Sequence, residues 1–130
     1  MDVVLDCSDN FTTRFAVNAA CVKTQTPLVS GAVIRFEGQL AVFTPGLKNS
    51  PCYNCLYATQ GELRESCVQT GVITPLPGII GSLQALEAIK LLLNLGQTLR
   101  GRLLLFDALS MEWQQMTLRK HPHCPTCGSG

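Results

Sequence analysis

The chain has 130 residues, of which 46% are hydrophobic and 15% are charged, and its formal net charge is +1. This length and apolar content suit one globular domain with a core, and the chain has no basic stripe that would argue for nucleic acid. Seven cysteines without a secretory signal pattern predict a cytoplasmic, reducing location, where thiols serve metal binding or catalysis.

The first predicted elements are a strand at residues 3–7 and a helix from about Phe11 to Thr24. A largely apolar strand of this kind usually lies inside a parallel sheet that is covered on both faces. No earlier element supplies neighbours for it. We therefore expect residues 1–130 to form a single partial domain, the second half of a larger α/β domain.

Two further strands are predicted at residues 28–34 and 39–44, with Glu37 and Gly38 as the turn between them. Strands so close in sequence are expected to pair antiparallel. A helix is predicted at 78–95, after two prolines and before Gly96, which is expected to end it. Its apolar residues recur at helical spacing: Ile79, Ile80, Leu83, Leu86, Ile89 and Leu93.

A hairpin of strands at 102–107 and 112–118 completes the predicted order β-α-β-β-α-β-β, which describes a mixed α/β sheet with two main helices. The long helix carries Gln84, Glu87 and Lys90 within its apolar run. We therefore predict that it does not span a membrane.

Two CxxC pairs carry the strongest chemical signal. Cys52 and Cys55 form one pair, and Cys124 and Cys127 form the other. Each pair can hold a metal ion from one tight turn, and four thiolates complete a tetrahedral site that favours Zn²⁺. Because four protein ligands leave no open position, the predicted role of this zinc site is structural.

A second motif follows the first strand. Asp9 and Asn10 lie at the carboxyl end of that strand and at the start of a helix, where α/β sheets bind ligands and helix N-termini favour anions. Arg14 lies one helical turn beyond Asn10, so both can face one ligand. The alternatives are that Asp9 or Asn10 only caps the helix and that Arg14 is solvated or salt-bridged.

Other cysteines and histidines lie outside these motifs. Cys67 stands in a polar segment, where it is either a nucleophile or an inert thiol. Cys7 and Cys21, within the first strand and helix, are predicted to be core residues. His121 and His123, beside the last CxxC, are predicted to be surface residues.

These segments, in this order, resemble the second half of the MoeB, ThiF and HesA adenylyltransferases, bacterial relatives of ubiquitin-activating enzymes. The resemblance rests on Asp6-Cys7-Ser8-Asp9-Asn10 with Arg14, on Pro51-Cys52-Tyr53-Asn54-Cys55, on Gly81-Ser82-Leu83-Gln84 and on the final Cys-Pro-Thr-Cys. It implies the second half of a Rossmann-like, ubiquitin-activating-enzyme-type fold. It also implies a homodimer for the complete enzyme.

The resemblance implies a reaction in which ATP and Mg²⁺ adenylate the C-terminal glycine of a ubiquitin-like sulfur carrier of the MoaD or ThiS type. The product serves molybdopterin or thiamin synthesis. Asp9 would be the catalytic carboxylate that binds Mg²⁺, with Asn10 and Arg14 beside the nucleotide. The four CxxC cysteines would be structural zinc ligands. Cys67 matches a cysteine that links covalently to the carrier in some members.

The sequence departs from this family in one respect: no GxGxxG occurs in it. The resemblance therefore predicts that this chain alone lacks most of the ATP site. Two other functions stay open, namely a non-catalytic, zinc-stabilised module that docks a carrier or a partner subunit and a dithiol redox protein. The second is disfavoured because the strand–CxxC–helix context of thioredoxins is missing.

Overall fold

The computed structural model describes residues 2–7, 11–45, 50–53, 55, 74–120, 124 and 126. Among these residues, five strands form one mixed sheet and two helices pack on it. The elements in chain order are β1 (Val4–Asp6), α1 (Phe11–Thr24), β2 (Leu28–Ile34), β3 (Glu37–Phe43), α2 (Pro75–Leu93), β4 (Arg102–Asp107) and β5 (Glu112–Thr117).

The sheet has the strand order β1-β2-β3-β4-β5. β1 runs parallel to β2, with Asp6 opposite Ser30, and every later pair is antiparallel. The predicted pairing of the second and third strands and the predicted C-terminal hairpin are therefore confirmed. β1 lies at one edge of the described sheet, and Leu5 within it is 40% exposed.

The turn between β2 and β3 differs from the prediction. Ile34 pairs with Glu37, so the two-residue loop consists of Arg35 and Phe36, and Arg35 adopts φ 52°. Gly38 instead lies within β3, where an added Cβ would come within 2.6 Å of the Ile80 side chain. This glycine is required for the close approach of α2 to the sheet, and it was wrongly taken for a turn residue.

Each helix ends in a residue with a left-handed backbone. Gln25, with φ 55°, follows α1, and the Thr26 amide donates to the Cys21 carbonyl at 2.9 Å. Asn94, with φ 53°, follows α2, and the Leu95 amide donates to the Lys90 carbonyl at 3.0 Å. Both arrangements satisfy carbonyl groups of the last helical turn. The prediction that Gly96 ends the second helix is wrong, because Asn94 already provides the left-handed residue.

The core has a layer on each face of the sheet. α1 covers one face, where buried side chains from the sheet meet Cys21 and Tyr53, and α2 covers the other. The largest buried side chains of the first layer are Leu28, Phe43 and Leu103, and those of the second are Val29, Leu40, Val42, Leu76 and Phe106.

The buried face of α2 is only partly the apolar face that the sequence suggests. Ile80 is 3% exposed, yet Leu86 and Ile89 are 51% and 50% exposed. Two polar residues, Gln84 and Glu87, are buried against the sheet and the following loop. Glu87 accepts a hydrogen bond from the Leu99 amide at 2.6 Å and pairs with Lys90, which is the physical reason that a carboxylate is stable there.

α2 is also long and apolar enough to cross a membrane by length and composition alone. In the structure one side of it packs on the sheet through Leu76 and Ile80. Its buried polar residues bond to backbone groups of β1, β2 and the loop after the helix. These contacts are those of a core helix in a globular fold.

Candidate functional site

Three cysteines from two distant segments of the chain converge beside α1. The Cys52 Sγ atom lies 3.9 Å from that of Cys55 and 3.6 Å from that of Cys124. All three residues are buried, and a hydrogen bond of 3.0 Å from the Cys55 amide to the Cys52 carbonyl closes the first turn. The predicted CxxC turn is therefore present, and Cys124 of the C-terminal segment lies beside it.

The sulfur spacing tests whether these residues suit a metal. Four thiolates around a tetrahedral Zn²⁺ with bonds of about 2.3 Å lie about 3.8 Å apart, close to the two distances in this cluster. The three Sγ atoms all lie within 4.8 Å of one another, which fits ligation of one ion. The predicted fourth ligand, Cys127, lies outside the described residues.

Asn18 on α1 holds the CxxC turn in place. Its Oδ1 atom accepts a hydrogen bond of 3.0 Å from the Tyr53 amide, between the two cysteines. Its Nδ2 atom is buried and has no acceptor among the described residues. Val22, one turn later on the same helix, packs against the cysteine cluster. The helix and the cluster therefore share one interface.

A second constellation lies where the carboxyl end of β1 adjoins the middle of β2. Arg14 reaches across from α1, and its guanidinium donates to Ser30 Oγ at 3.0 Å and to the Gly31 carbonyl. The Asp6 carboxylate lies 4.0 Å from the same guanidinium. Arg14 and Asp6 are buried at 5% and 6% exposure, so each charge offsets the other in a region of low water content.

This geometry bears on the predicted nucleotide contact of Arg14. The side chain is salt-bridged and hydrogen-bonded within the fold, as the alternative had it. A guanidinium has five donors, so these contacts do not exhaust its capacity. Its role at a nucleotide stays a prediction. Asp9, Asn10 and Cys67, the other predicted catalytic and nucleotide-binding residues, lie outside the described residues, as do His121 and His123.

Gln84 is a site residue that the sequence did not indicate. Its Nε2 atom donates to the Asp6 carbonyl at 3.0 Å and to the Val29 carbonyl at 3.3 Å. These two hydrogen bonds connect α2 to β1 and β2. Its Oε1 atom lies 3.4 Å from the Cys7 Sγ atom. The available signal in the sequence was a glutamine within an apolar helix. If such a residue is buried, its amide needs polar partners from other elements of the fold.

The two remaining described cysteines differ from each other. Cys21 is buried, as predicted, and burial raises the pKa of its thiol, with a smaller contribution from the nearby Asp6 carboxylate. Cys7 is exposed, so the prediction that it belongs to the core is wrong. The reason is positional: β1 ends at Asp6, and Cys7 follows it at the edge of the sheet.

A cleft of about 790 Å³ lies at the opposite end of the sheet, and its lining includes Pro27, Lys90 and Arg102. Pro27 precedes β2, and Arg102 begins β4. Ligands of α/β sheets bind at the carboxyl ends of parallel strands, whereas this cleft lies at the amino end of β2. It therefore does not coincide with either constellation.

A sequence model of the ThiF family matches residues 1–126. The molybdopterin-synthase adenylyltransferase of Salmonella typhimurium is 48% identical over 126 residues, which are 97% of this chain and 50% of that protein. The sulfur carrier protein ThiS adenylyltransferase of Escherichia coli is 47% identical over 127 residues, 98% of this chain and 50% of that protein. The chain thus spans about half the length of the curated relatives it matches.

The fold is similar to that of a solved structure, Escherichia coli MccB. The two share 17% sequence identity with a TM-score of 0.78, over 98% of this chain and 40% of that one. At this identity the likeness concerns the fold alone. It supports the mixed α/β sheet with two main helices that the sequence predicted.

Proposed function

The chain belongs to the ThiF family, and on that premise we propose that it provides the second half of an adenylyltransferase site that acts on a ubiquitin-like sulfur carrier. The observation that carries this proposal is the similarity over nearly the whole chain to adenylyltransferases of two sulfur-carrier pathways. The reaction is the ATP-dependent adenylation of the carrier's C-terminal glycine, for molybdopterin or thiamin synthesis.

The constellation around Arg14 supports this assignment. Asp9 and Asn10 follow β1 after two intervening residues, and Arg14 lies on the next helix with its guanidinium beside the end of β1 and the middle of β2. In the proposed site Asp9 binds Mg²⁺, and Asn10 and Arg14 lie beside the phosphates. A Mg²⁺ ion held there would neutralise charge on the phosphates.

The chain's own residues have distinct tasks in this proposal. The pair formed by Arg14 and Asp6 fixes the start of α1, and Gln84 fixes the end of β1 from the other face. Asp9 lies in the sequence between Asp6 and Arg14, the two members of this pair. Pre-organised polar groups of this kind lower the reorganisation that a charged transition state requires. Cys67 is proposed as a covalent attachment point for the carrier.

The cysteine cluster is proposed to hold a structural zinc ion through Cys52, Cys55, Cys124 and Cys127. The sulfur distances support a metal, and a set of thiolates favours zinc over harder cations. The same convergence of three sulfurs disfavours the dithiol redox function, which needs only a pair. Bound zinc would join the C-terminal segment to the middle of the chain.

The test is ATP–pyrophosphate exchange with Mg²⁺, zinc and carriers of the MoaD and ThiS types. The chain is assayed alone and joined to the N-terminal half of the Salmonella typhimurium relative. We expect exchange only in the joined protein, and we expect Asp9→Asn to abolish it. A joined protein that folds and binds zinc but shows no exchange with any carrier would refute the proposal.

A second function, a non-catalytic module that docks a carrier, is favoured by one observation. β1 lies at an edge of the described sheet, and an exposed edge strand can pair with another chain. Titration of the chain with a carrier, without ATP, separates the two functions. Tight binding by the chain, together with a joined protein inactive in exchange, would favour the docking module. Failure to bind at high micromolar carrier would exclude it.

A further inference from the structure

Tyr53 lies between the cysteine cluster and Arg14. It lies inside the CxxC turn, directly after Cys52, and its side chain is buried at 4% exposure. Its amide donates to Asn18 Oδ1, so the backbone of the turn is fixed to α1 at this residue. Any force that orders the turn therefore also sets where the Tyr53 ring lies.

The Tyr53 ring packs within an aromatic group that faces Arg14. Its centroid lies 5.4 Å from that of Phe15 and 6.3 Å from that of Phe43, both in edge-on geometry. The guanidinium carbon of Arg14 lies 5.9 Å from the Tyr53 centroid, within the range of a cation–π contact. The ring thus forms one wall of the site that holds the guanidinium.

The opposite side of that site is formed by β1 and β2. Arg14 donates to Ser30 Oγ and to the Gly31 carbonyl, and Asp6 balances its charge. Each step from the cysteines to β2 is therefore a direct contact. The turn positions Tyr53, Tyr53 contacts Arg14, and Arg14 bonds to Ser30 and Gly31 of β2. The path crosses only buried residues.

We propose that Tyr53 is a positioning residue through which metal binding at the cysteine cluster fixes the Arg14 guanidinium beside Asp6 of β1 and Ser30 of β2. The inference rests on the metal site of the proposed function. A bound ion would hold the thiolates together and would add to the Asn18 contact that already fixes the turn to α1. A looser turn withdraws the aromatic wall from Arg14, whose guanidinium then moves relative to Ser30.

The test follows the Arg14 side-chain Nε–H group by NMR in the zinc-loaded chain, assigned with Arg14→Lys. Removal of zinc is expected to shift this resonance and to accelerate its exchange with water by about tenfold, as loss of a cation–π contact would. Tyr53→Leu is expected to give the same change with zinc still bound, and Tyr53→Phe, which keeps the ring, to give none. The Arg102 group, bonded to Gln115 on the hairpin, is an internal control that should not move.

A purely structural role for Tyr53 would lower the melting temperature in Tyr53→Leu but leave the Arg14 signal of the folded protein unchanged. That result would overturn the proposal, as would an unchanged signal after zinc removal. If chelation unfolds the chain, the two Tyr53 variants, both measured with zinc, still test the contact between Tyr53 and Arg14, and an unchanged Arg14 signal in Tyr53→Leu overturns the proposal. Zinc content, measured separately, reports failure of the metal site itself, and pyrophosphate exchange reports failure of the adenylation proposal.

Discussion

The Gln84 side chain occupies the space above Gly31 that any larger residue would fill. A Cβ atom at Gly31 would lie 2.5 Å from the Gln84 amide carbon and 2.6 Å from its Oε1 atom. The amide uses this space to bond with the Asp6 and Val29 carbonyls. The absence of a side chain at Gly31 thus permits Gln84 of α2 to form hydrogen bonds with both β1 and β2.

The substitution Gly31→Ala is expected to displace the Gln84 amide. Overpacking of a buried site costs about 1–3 kcal/mol of unfolding free energy, and broken hydrogen bonds add to this loss. Gly81→Ala is the matched control, because Gly81 lies on α2 with nothing within 4 Å of an added Cβ. We expect this control to raise stability by about 0.5–1 kcal/mol, through helix propensity. Urea denaturation gives the unfolding free energy of both variants. Changes of the same sign and size in the two would contradict this prediction.

The cysteine cluster should control both metal content and stability. Cys52→Ser, Cys55→Ser and Cys124→Ser are expected to lose zinc and to lower the melting temperature strongly, since structural zinc contributes roughly 10–16 kcal/mol in small zinc peptides. A chelator should have the same effect on the unmodified chain. Zinc analysis and calorimetry provide the measurements.

Cys7→Ser is the control for the cluster, because Cys7 is exposed and lies at the end of β1. We expect it to keep one zinc ion per chain and a melting temperature close to that of the parent. Retention of zinc by Cys52→Ser, or loss of zinc from Cys7→Ser, would show that the metal ligands have been assigned wrongly.

Two isoleucines on α2 should respond differently to truncation. Ile80 is 3% exposed and packs on Leu76 and Phe106, whereas Ile89 is 50% exposed. Ile80→Ala is expected to cost about 2–5 kcal/mol of unfolding free energy, and Ile89→Ala less than about 1 kcal/mol. Denaturation of the two variants under the same conditions gives the comparison. A larger loss for Ile89→Ala would mean that α2 packs with another face in solution.

The Cys21 thiol should make the folded state less stable in alkali. Burial, and to a lesser degree Asp6, raises its pKa above the ordinary value, so the folded state holds this proton more tightly than the unfolded chain. Its contribution is fully present below the unfolded pKa of about 8.5 and is lost as pH rises through the folded pKa.

The measurement is the unfolding free energy from pH 7 to pH 10 for the parent and for Cys21→Ala. The parent should lose more stability over this range than the variant. Parallel curves would show that the Cys21 thiol has the same pKa in both states.

The sequence predicted the order of the elements and the cysteine turn because these depend on local spacing. The pairing of β2 with β3 follows from their closeness in the chain, and a CxxC turn brings Cys52 and Cys55 together wherever it occurs. The predicted convergence of Cys124 with this pair is confirmed. Here the chemistry of thiolates supplied the long-range information that local pattern lacks.

The failures concern residues whose surroundings come from distant segments. Gly38 resembled a turn residue, and only the position of Ile80 on α2 shows that it permits close packing. The apolar spacing of α2 did not indicate its buried face, because Gln84 and Glu87 bond to backbone groups of other elements. Cys7 was predicted to be a core residue because it fell within the predicted strand, but it lies one residue beyond the end of β1.

The measurement to make first is hydroxylamine trapping of the carrier C-terminus by the joined protein, with ATP, Mg²⁺ and zinc. An adenylated glycine reacts with hydroxylamine to give a hydroxamate, which mass spectrometry of the carrier detects. We predict a hydroxamate on a MoaD- or ThiS-type carrier that requires ATP and is lost with Asp9→Asn. A folded, zinc-loaded joined protein that gives no hydroxamate on either carrier would contradict adenylation as the function of this chain.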